Sequence, residues 1–410
     1  MASPTNRKPF ESPDVPLASN TIGRLILFVV SFSSTMNRTS YQCLLIPIRR
    51  PFMIDCDFPV LKYQRKASPR QWGEMHGETY RDAIRELVEI RTELMREKNP
   101  ELNRQRFERL ADEQWKLTEQ FDDTVTEELR GIAESANISR ADLVILNNYT
   151  DFRDIQVDDQ GCSLVYVNTE EGPLVGQTWD MHGSAKRYVC CLQIPDLDSD
   201  HDSIVFSLVG CVGMMGFTSR QTVLGVNNIN VSGASSGIIW PALVRKVLNQ
   251  SDLPRMSCCL TTAPVTSGHN YLLAKRDSAE MWEVAPGLSE CLHRMGTAEQ
   301  GLMFHTNHCL GPAMRKRETA ISQNSTTHVR YDLLAKKAPA VSTLEQMYEL
   351  MTDHENYPKS ICSNFQANTQ DPSITCGGAV GNLNTGEIRM WRGDPVHDDH
   401  FMLHSFQLDY

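Results

Sequence analysis

A chain of 410 residues with 22% charged side chains is long enough to bury a large core, which argues against a mostly unfolded chain. A net charge of −11 with no long basic run excludes a general nucleic-acid binder. The twelve cysteines include the neighbours Cys190–Cys191 and Cys258–Cys259 but no Cys-x-x-Cys pair, so reduced and mostly buried thiols of an intracellular protein are expected.

Residues 1–55 read as a leader, disordered or an extension of the gene start, rich in Ser, Pro and Asn. Its apolar run Leu25–Val30 is too short to span a bilayer, and it begins late for a signal peptide. The Asn-x-Ser/Thr sites at Asn37, Asn137, Asn148, Asn230, Asn249 and Asn324 bear on the protein only if it is secreted. Residues 56–410 read as a single catalytic domain. From Pro69 to Thr150 the pattern is helical: Tyr80, Ile84, Leu87, Val88, Arg91, Leu94 and Met95 share one face, and Asn99–Pro100 ends that helix. A second helix is expected over Arg106–Gln120. A third carries Val125, Leu129, Ile132, Ala133 and Ala136, and a short one, Leu143–Asn147, follows the capping pair Ser139 and Asp142.

After Cys162 the period changes to two. Strands are expected at Ser163–Asn168, Leu174–Asp180, Tyr188–Ile194, Ile204–Val209 and Thr222–Val226, then a helix near Pro241–Asn249. Strands Tyr271–Lys275 and Met281–Val284, a helix around Thr343–Asp353, and strands Ile374–Val380 and Glu387–Arg392 complete the order. Helices, sheet, helices and more sheet make an α+β sandwich with layers on both sides of antiparallel sheets.

Cys162 falls where the helices end and the strands begin, after the polar loop 156–161, in a place expected to be accessible. Gly161 before it allows strained backbone angles next to the thiol. Taken alone, a Gly-Cys pair is as readily a turn and a small core residue. Around it, however, the chain resembles the isopenicillin N acyltransferase family, self-processing acyltransferases and amidases of the N-terminal-nucleophile hydrolase superfamily. The resemblance runs from Trp72 to Arg392 through Gly73-x-x-His76-Gly77, Glu128-Leu-Arg-Gly-Ile-Ala133, Leu146-Asn147 and Gly161-Cys162. It continues through Gly176-Gln-Thr-Trp-Asp180, His305-Thr-Asn-His-Cys309 and Glu355-Asn-Tyr-Pro-Lys-Ser-Ile-Cys362.

That resemblance implies a four-layer αββα sandwich, cleavage of the Gly161–Cys162 bond into 1–161 and 162–410, and association of the two fragments. It implies Cys162 as nucleophile, Asp180 as an acidic active-site residue and Asn307 as an oxyanion-stabilising amide. It includes amidases of β-alanyl amines, so penicillin chemistry does not follow. The chemistry is coherent on its own terms. A cleaved Cys162 carries a thiol and an α-amine of pKa about 8 that can take the thiol proton. A fixed amide such as Asn307 lowers the barrier by about 3 kcal/mol through its bond to the oxyanion. The expected substrate is a small amide or acyl thioester, with no cofactor, no metal, no nucleic acid and no stable membrane insertion, in a cytoplasmic protein.

Three departures bear on the transfer. Ser363 stands where the family usually carries Arg after Ser-Ile-Cys. Tyr149, followed by Thr150-Asp151, stands in place of the Arg of an Arg-Thr-Glu segment. Gln160 and Ser163 flank the Gly-Cys pair where Asp and Thr are usual. Two other functions stay open: a conventional cysteine hydrolase with His182 or His308 as base, and a non-catalytic or only self-processing relative. His305, His308 and Cys309 invite a metal reading, but no second cluster supplies further ligands.

Overall fold

The computed structural model describes residues 57–152, 161–296, 301–321, 325–365, 371 and 373–410, all within one compact unit, Phe52–Tyr410. The leader and loop residues 153–160 lie outside them.

A three-residue strand β1 (Val60–Lys62) precedes five helices: α1 (Pro69–Thr79), α2 (Arg81–Lys98), α3 (Arg104–Phe121), α4 (Asp123–Ala136) and α5 (Arg140–Asn148). The first helical stretch is thus two helices broken at Tyr80. Ser68 starts α1 with a reciprocal capping box to Gln71 and Pro69 in the first turn. Close packing against α4 holds α1 in place. A Cβ on Gly73 would sit 1.9 Å from the Glu128 carbonyl oxygen, and one on Gly131 would sit 2.3 Å from that of Arg70. Those contacts account for the glycines in the two family stretches. The capping box expected at Ser139 and Asp142 is present.

Next come β2 (Leu164–Thr169), β3 (Gly172–His182), β4 (Val189–Pro195), β5 (Asp202–Leu208), β6 (Met215–Thr218) and β7 (Thr222–Ile229). Helices α6 (Trp240–Leu248) and α7 (Leu253–Thr262) lead to β8 (Gly268–Lys275), β9 (Ser278–Ala285), β10 (Leu288–Gly296) and β11 (Leu302–His305). The chain ends with α8 (Thr327–Lys337), α9 (Leu344–Met351), β12 (Asn364–Phe365), β13 (Ser373–Asn382), β14 (Glu387–Arg392) and β15 (Met402–Gln407).

Among the described residues these strands make an eight-stranded sheet, β1-β4-β5-β6-β7-β8-β9-β10, and a seven-stranded sheet, β11-β2-β3-β13-β14-β15 with β12 on β13. Helices α6 and α7 pack on the first sheet, the sheets pack on each other, and α8 and α9 pack on the second. That is the four-layer αββα sandwich. Helices α4 and α5 contact α6, so the helical N-terminal region lies over the first sheet's helical layer. Between the sheets, the Gln177 amide oxygen accepts from Val226 N–H at 3.0 Å, satisfying a buried side chain of β3 on the backbone of β7.

A buried polar network joins the region before Cys162 to the region after it. The Tyr63 hydroxyl donates to Glu128 at 2.8 Å, Glu128 pairs with Arg245 at 2.9 Å, and Gly210 N–H donates to His76 Nε2 at 2.7 Å. With Nε2 accepting, the His76 proton sits on Nδ1, 3.1 Å from the Tyr63 oxygen. Burial holds His76 neutral, its pKa lowered from 6.5 to about 3, and His308 is likewise lowered to about 4. Below pH 6.5 the unfolded chain therefore binds protons at both sites that the folded chain refuses, so acid destabilises the fold. Urea unfolding at pH 6.5 and pH 5 is expected to show a loss of about 2 kcal/mol for each of the two histidines. A flat profile over that window would contradict their burial as neutral groups. Among the described residues no helix is long and apolar enough to cross a membrane.

Candidate active site

Gly161 and Asp180 form an antiparallel bridge that lays the Gly161–Cys162 bond against β3. Gly161 N–H donates to the Asp180 carbonyl oxygen at 3.0 Å, and Asp180 N–H donates to the Gly161 carbonyl oxygen at 2.8 Å. The need for glycine here is steric. A Cβ there would lie 2.7 Å from Asp180 Oδ2 and 2.8 Å from Arg330 Nη2.

Cys162, Asp180 and Asn307 come together. Cys162 is 3% exposed, so the accessible position expected for it is corrected. The Gly161–Cys162 bond is covered by β3 and by Arg330 of α8. Cys162 N–H donates to Asn307 Oδ1 at 2.8 Å. Asn307 follows β11 and is fixed by its own N–H to Thr327 Oγ1 at 2.8 Å and by Nδ2 to the Asn228 carbonyl at 2.9 Å. Asp180 Oδ1 accepts from Thr375 Oγ1 at 2.7 Å.

The fourth member was not legible as one. Arg330, 1% exposed, donates through Nη1 to the Cys162 carbonyl at 2.5 Å and to Ser163 Oγ at 3.0 Å. Its Nη2 donates to Asn307 Oδ1 at 2.8 Å, and its Nε lies 3.7 Å from Asp180 Oδ2. One guanidinium thus ties the three together. Two donors on Asn307 Oδ1 also settle which way that amide points. Ser363, where the resemblance places Arg, lies beside Asp180, its backbone paired with Thr375. The cation enters from α8 instead, a helix the sequence pattern did not announce. Its signal was an arginine on the buried face formed with Thr327, Leu333 and Leu334.

Burial pushes the Asp180 carboxyl above its ordinary value, against the opposing pull of Arg330, Thr375 and Ser363. Burial also raises the Cys162 thiol, and the Asp180 charge adds to this; Arg330 and the backbone at Asp180 and Asn228 act the other way. Burial makes the Asp180 carboxylate a stronger base than one in water, while the raised thiol gives up its proton less readily.

Cys162 lines a narrow cavity together with Arg91, Tyr149, Trp179, Met214, Trp240 and His269. Trp179 and Trp240 stack with centroids 6.0 Å apart. Tyr149 carries Arg91 on its face, 5.0 Å from the ring centroid, so a guanidinium from α2 lies beside the position where the family carries Arg.

Cys162 makes no hydrogen bond to His182, which contacts Arg91 and Ser184, or to His308, which contacts Thr306 and Thr327. His305 bonds to Glu283 at 3.0 Å and to the Thr306 carbonyl at 2.7 Å, so both of its ring nitrogens are occupied. His354, Cys362 and Asp394 bring ligand atoms within 4.8 Å of one another. Asp394 is already occupied there, by His354 at 2.9 and 3.0 Å and by the N–H groups of Val396 and His397.

The profile of the acyl-coenzyme A:6-aminopenicillanic acid acyl-transferase family matches residues 167–389, more than half of the chain. The chain belongs to this family. The matched segment contains Asp180, Asn307, Arg330 and Ser363 and begins after Cys162. Within the family, the 40 kDa form of acyl-coenzyme A:6-aminopenicillanic-acid-acyltransferase of Emericella nidulans is 25% identical over 309 residues, covering 73% of this chain and 84% of that protein. Among solved structures, a C2A mutant of the conjugated bile acid hydrolase of Clostridium perfringens is 10% identical with a TM-score of 0.39, covering 61% of this chain and 94% of that one. A Caenorhabditis elegans N-acylethanolamine-hydrolyzing acid amidase ortholog is 13% identical with a TM-score of 0.37, covering 60% and 100%.

Proposed function

We propose that this acyl-transferase family member cuts itself at Gly161–Cys162 and then uses Cys162 to accept an acyl group from a small amide or thioester. Family membership supports an enzyme of acyl transfer or amide hydrolysis; the cysteine mechanism rests on the site. The observation that carries it is the Asp180 N–H donating to the Gly161 carbonyl oxygen at 2.8 Å, because that oxygen becomes negative when Cys162 Sγ attacks the carbonyl carbon. Asp180 accepts the thiol proton. The Sγ–C bond forms and the C–N bond breaks, with the departing nitrogen taking up a proton. Water then hydrolyses the Gly161 thioester to a carboxylate and a free thiol.

The new α-amine stays where the peptide N–H was, against Asn307 Oδ1, with Asp180 and Arg330 holding its surroundings. Near neutral pH this amine replaces Asp180 as the base for the thiol. An external amide or thioester forms an acyl-cysteine, resolved by water in hydrolysis or by an amine in transfer. The parallel pairing of β1 with β4 and the buried Glu128–Arg245 bridge keep the two fragments together.

Mass spectrometry after mixing with short-chain acyl-coenzyme A is the test. A mass gain of one acyl group confined to fragment 162–410, absent in Cys162→Ala, is expected; labelling that persists in the variant would sink the assignment. One observation favours a second reading, a conventional cysteine hydrolase. His269, lowered by burial and 3.5 Å from Asp151, lines the same cavity as Cys162 and was not nominated from sequence. Acyl labelling of an uncleaved chain, lost in His269→Ala, would favour it.

A further inference from the structure

His354 and Asp394, 40 residues apart, meet where the segment before β12 packs against the segment after β14. His354 Nε2 lies 2.9 Å from Asp394 Oδ1 and 3.0 Å from Oδ2, and the Cys362 thiol donates to the same carboxylate. An imidazole nitrogen, a sulfur and a carboxylate oxygen thus lie within 4.8 Å of one another. In a tetrahedral zinc site with bonds of about 2.0–2.3 Å, ligand atoms stand about 3.5 Å apart, a spacing this cluster reaches through small side-chain rotations.

The carboxylate is held as a metal ligand is held. The N–H groups of Val396 and His397 both donate to Oδ1, at 2.8 and 3.1 Å, which orients the group and leaves Oδ2 towards His354. Outer partners of this kind fix the direction of a ligating carboxylate. Cys362 is fully buried, while the side chains of His354 and Asp394 are 19% and 13% exposed, so an ion has a path from solvent. Sulfur with imidazole and carboxylate suits zinc, whereas magnesium and calcium take oxygen ligands.

We propose that His354, Cys362 and Asp394 hold a zinc ion through Nε2, Sγ and Oδ2, with water as the fourth ligand. On binding, the Cys362 S–H bond breaks, the S–Zn bond forms and the proton leaves to solvent; no electron is transferred. Neutral His354 then carries its proton on Nδ1. The ion acts through position. It pins the segment that ends at Cys362, and the next residue, Ser363, bonds through both its backbone groups to Thr375, whose hydroxyl donates to Asp180. The site stands independently of the reading of Cys162.

Titration of cobalt(II) into the purified full chain, first stripped of metal with a chelator, reads the site without any turnover. One equivalent is expected to give a thiolate-to-cobalt charge-transfer band, and zinc, bound more tightly by such ligands, to abolish it. Cys362→Ser is expected to lose the band. Asp394→Asn is expected to weaken binding at least about tenfold, the lower end for disturbing even an outer partner of a ligand. Cys258→Ser and Cys291→Ser, at exposed thiols elsewhere, are expected to keep the band. Zinc-edge X-ray absorption of the wild type, which needs no variant to fold, is expected to show one sulfur and otherwise nitrogen and oxygen. No band in the wild type, a band that survives Cys362→Ser or is lost with Cys258 or Cys291, or a zinc shell without sulfur overturns the proposal and leaves the three residues a hydrogen-bonded cluster.

Discussion

Cys162→Ala is expected to remain one chain of 410 residues, while wild-type protein resolves into 1–161 and 162–410 with Cys162 as the new N-terminus. Every step of the proposed cleavage passes through Sγ, so the substitution removes the nucleophile, and loss of a nucleophile costs on the order of 10⁶-fold in comparable enzymes. At that level cleavage disappears from any practical time course. The substitution keeps Cβ and the backbone, so the Cys162 N–H still donates to Asn307 and the Gly161–Asp180 bridge is untouched. A folded but uncut variant is therefore the specific outcome. Intact-mass measurement and N-terminal sequencing check it, with Cys162→Ser as an intermediate case cleaving slowly through a weaker nucleophile. An uncut wild-type chain defeats the self-cleavage proposal, and cleavage persisting in Cys162→Ala defeats the role of the thiol.

Arg330→Met is the second large effect. It removes the donors to the Cys162 carbonyl, Ser163 and Asn307 together. Those bonds hold Cys162 and Asn307 in place, and misplacing a reacting group by about 1 Å costs about 10²-fold, which is the expected slowing of self-cleavage. It also leaves Asp180 as a buried carboxylate without its cation, which destabilises the fold by about 3–5 kcal/mol. A slower reaction alone would not separate chemistry from damage, so the readout is the pH profile. Arg330 opposes the burial that raises Asp180, and removing it raises that carboxyl further. Because the base must be ionised, the acid limb of the self-cleavage rate is expected to move to higher pH in Arg330→Met and to return part of the way in Arg330→Lys. A limb that stays in place, with only the rate reduced, would leave Arg330 a packing residue.

Much of the fold was legible because it is written in local periods. The apolar spacing from Ile84 to Met95 and the alternation after Cys162 each depend on one face being buried, and each element formed where that pattern stands. Elements without such a face were passed over. Strand β10 has no buried residue and shows little apolar alternation, while β1 and β6 are too short to show a period. Helix α7 is built from Ser, Cys and Thr, poor helix formers that rely on the Asp252 cap.

The sequence by itself determined the sandwich order and, through family motifs, pointed to Cys162, Asp180 and Asn307, which the fold brings to one place. Only the tertiary structure decided how they are wired. Arg330 lies 168 residues from Cys162 and brings a cation to the site from α8, where Ser363 brings none. Arg91 likewise lies beside Tyr149 from outside the motif. Charge at a site depends on where a guanidinium ends in space, and several helices can deliver one to the same point. A motif records only the position from which relatives deliver it. The burial of Cys162 and the steric need for Gly161 were hidden for the same reason: both come from residues far along the chain that close over one peptide bond.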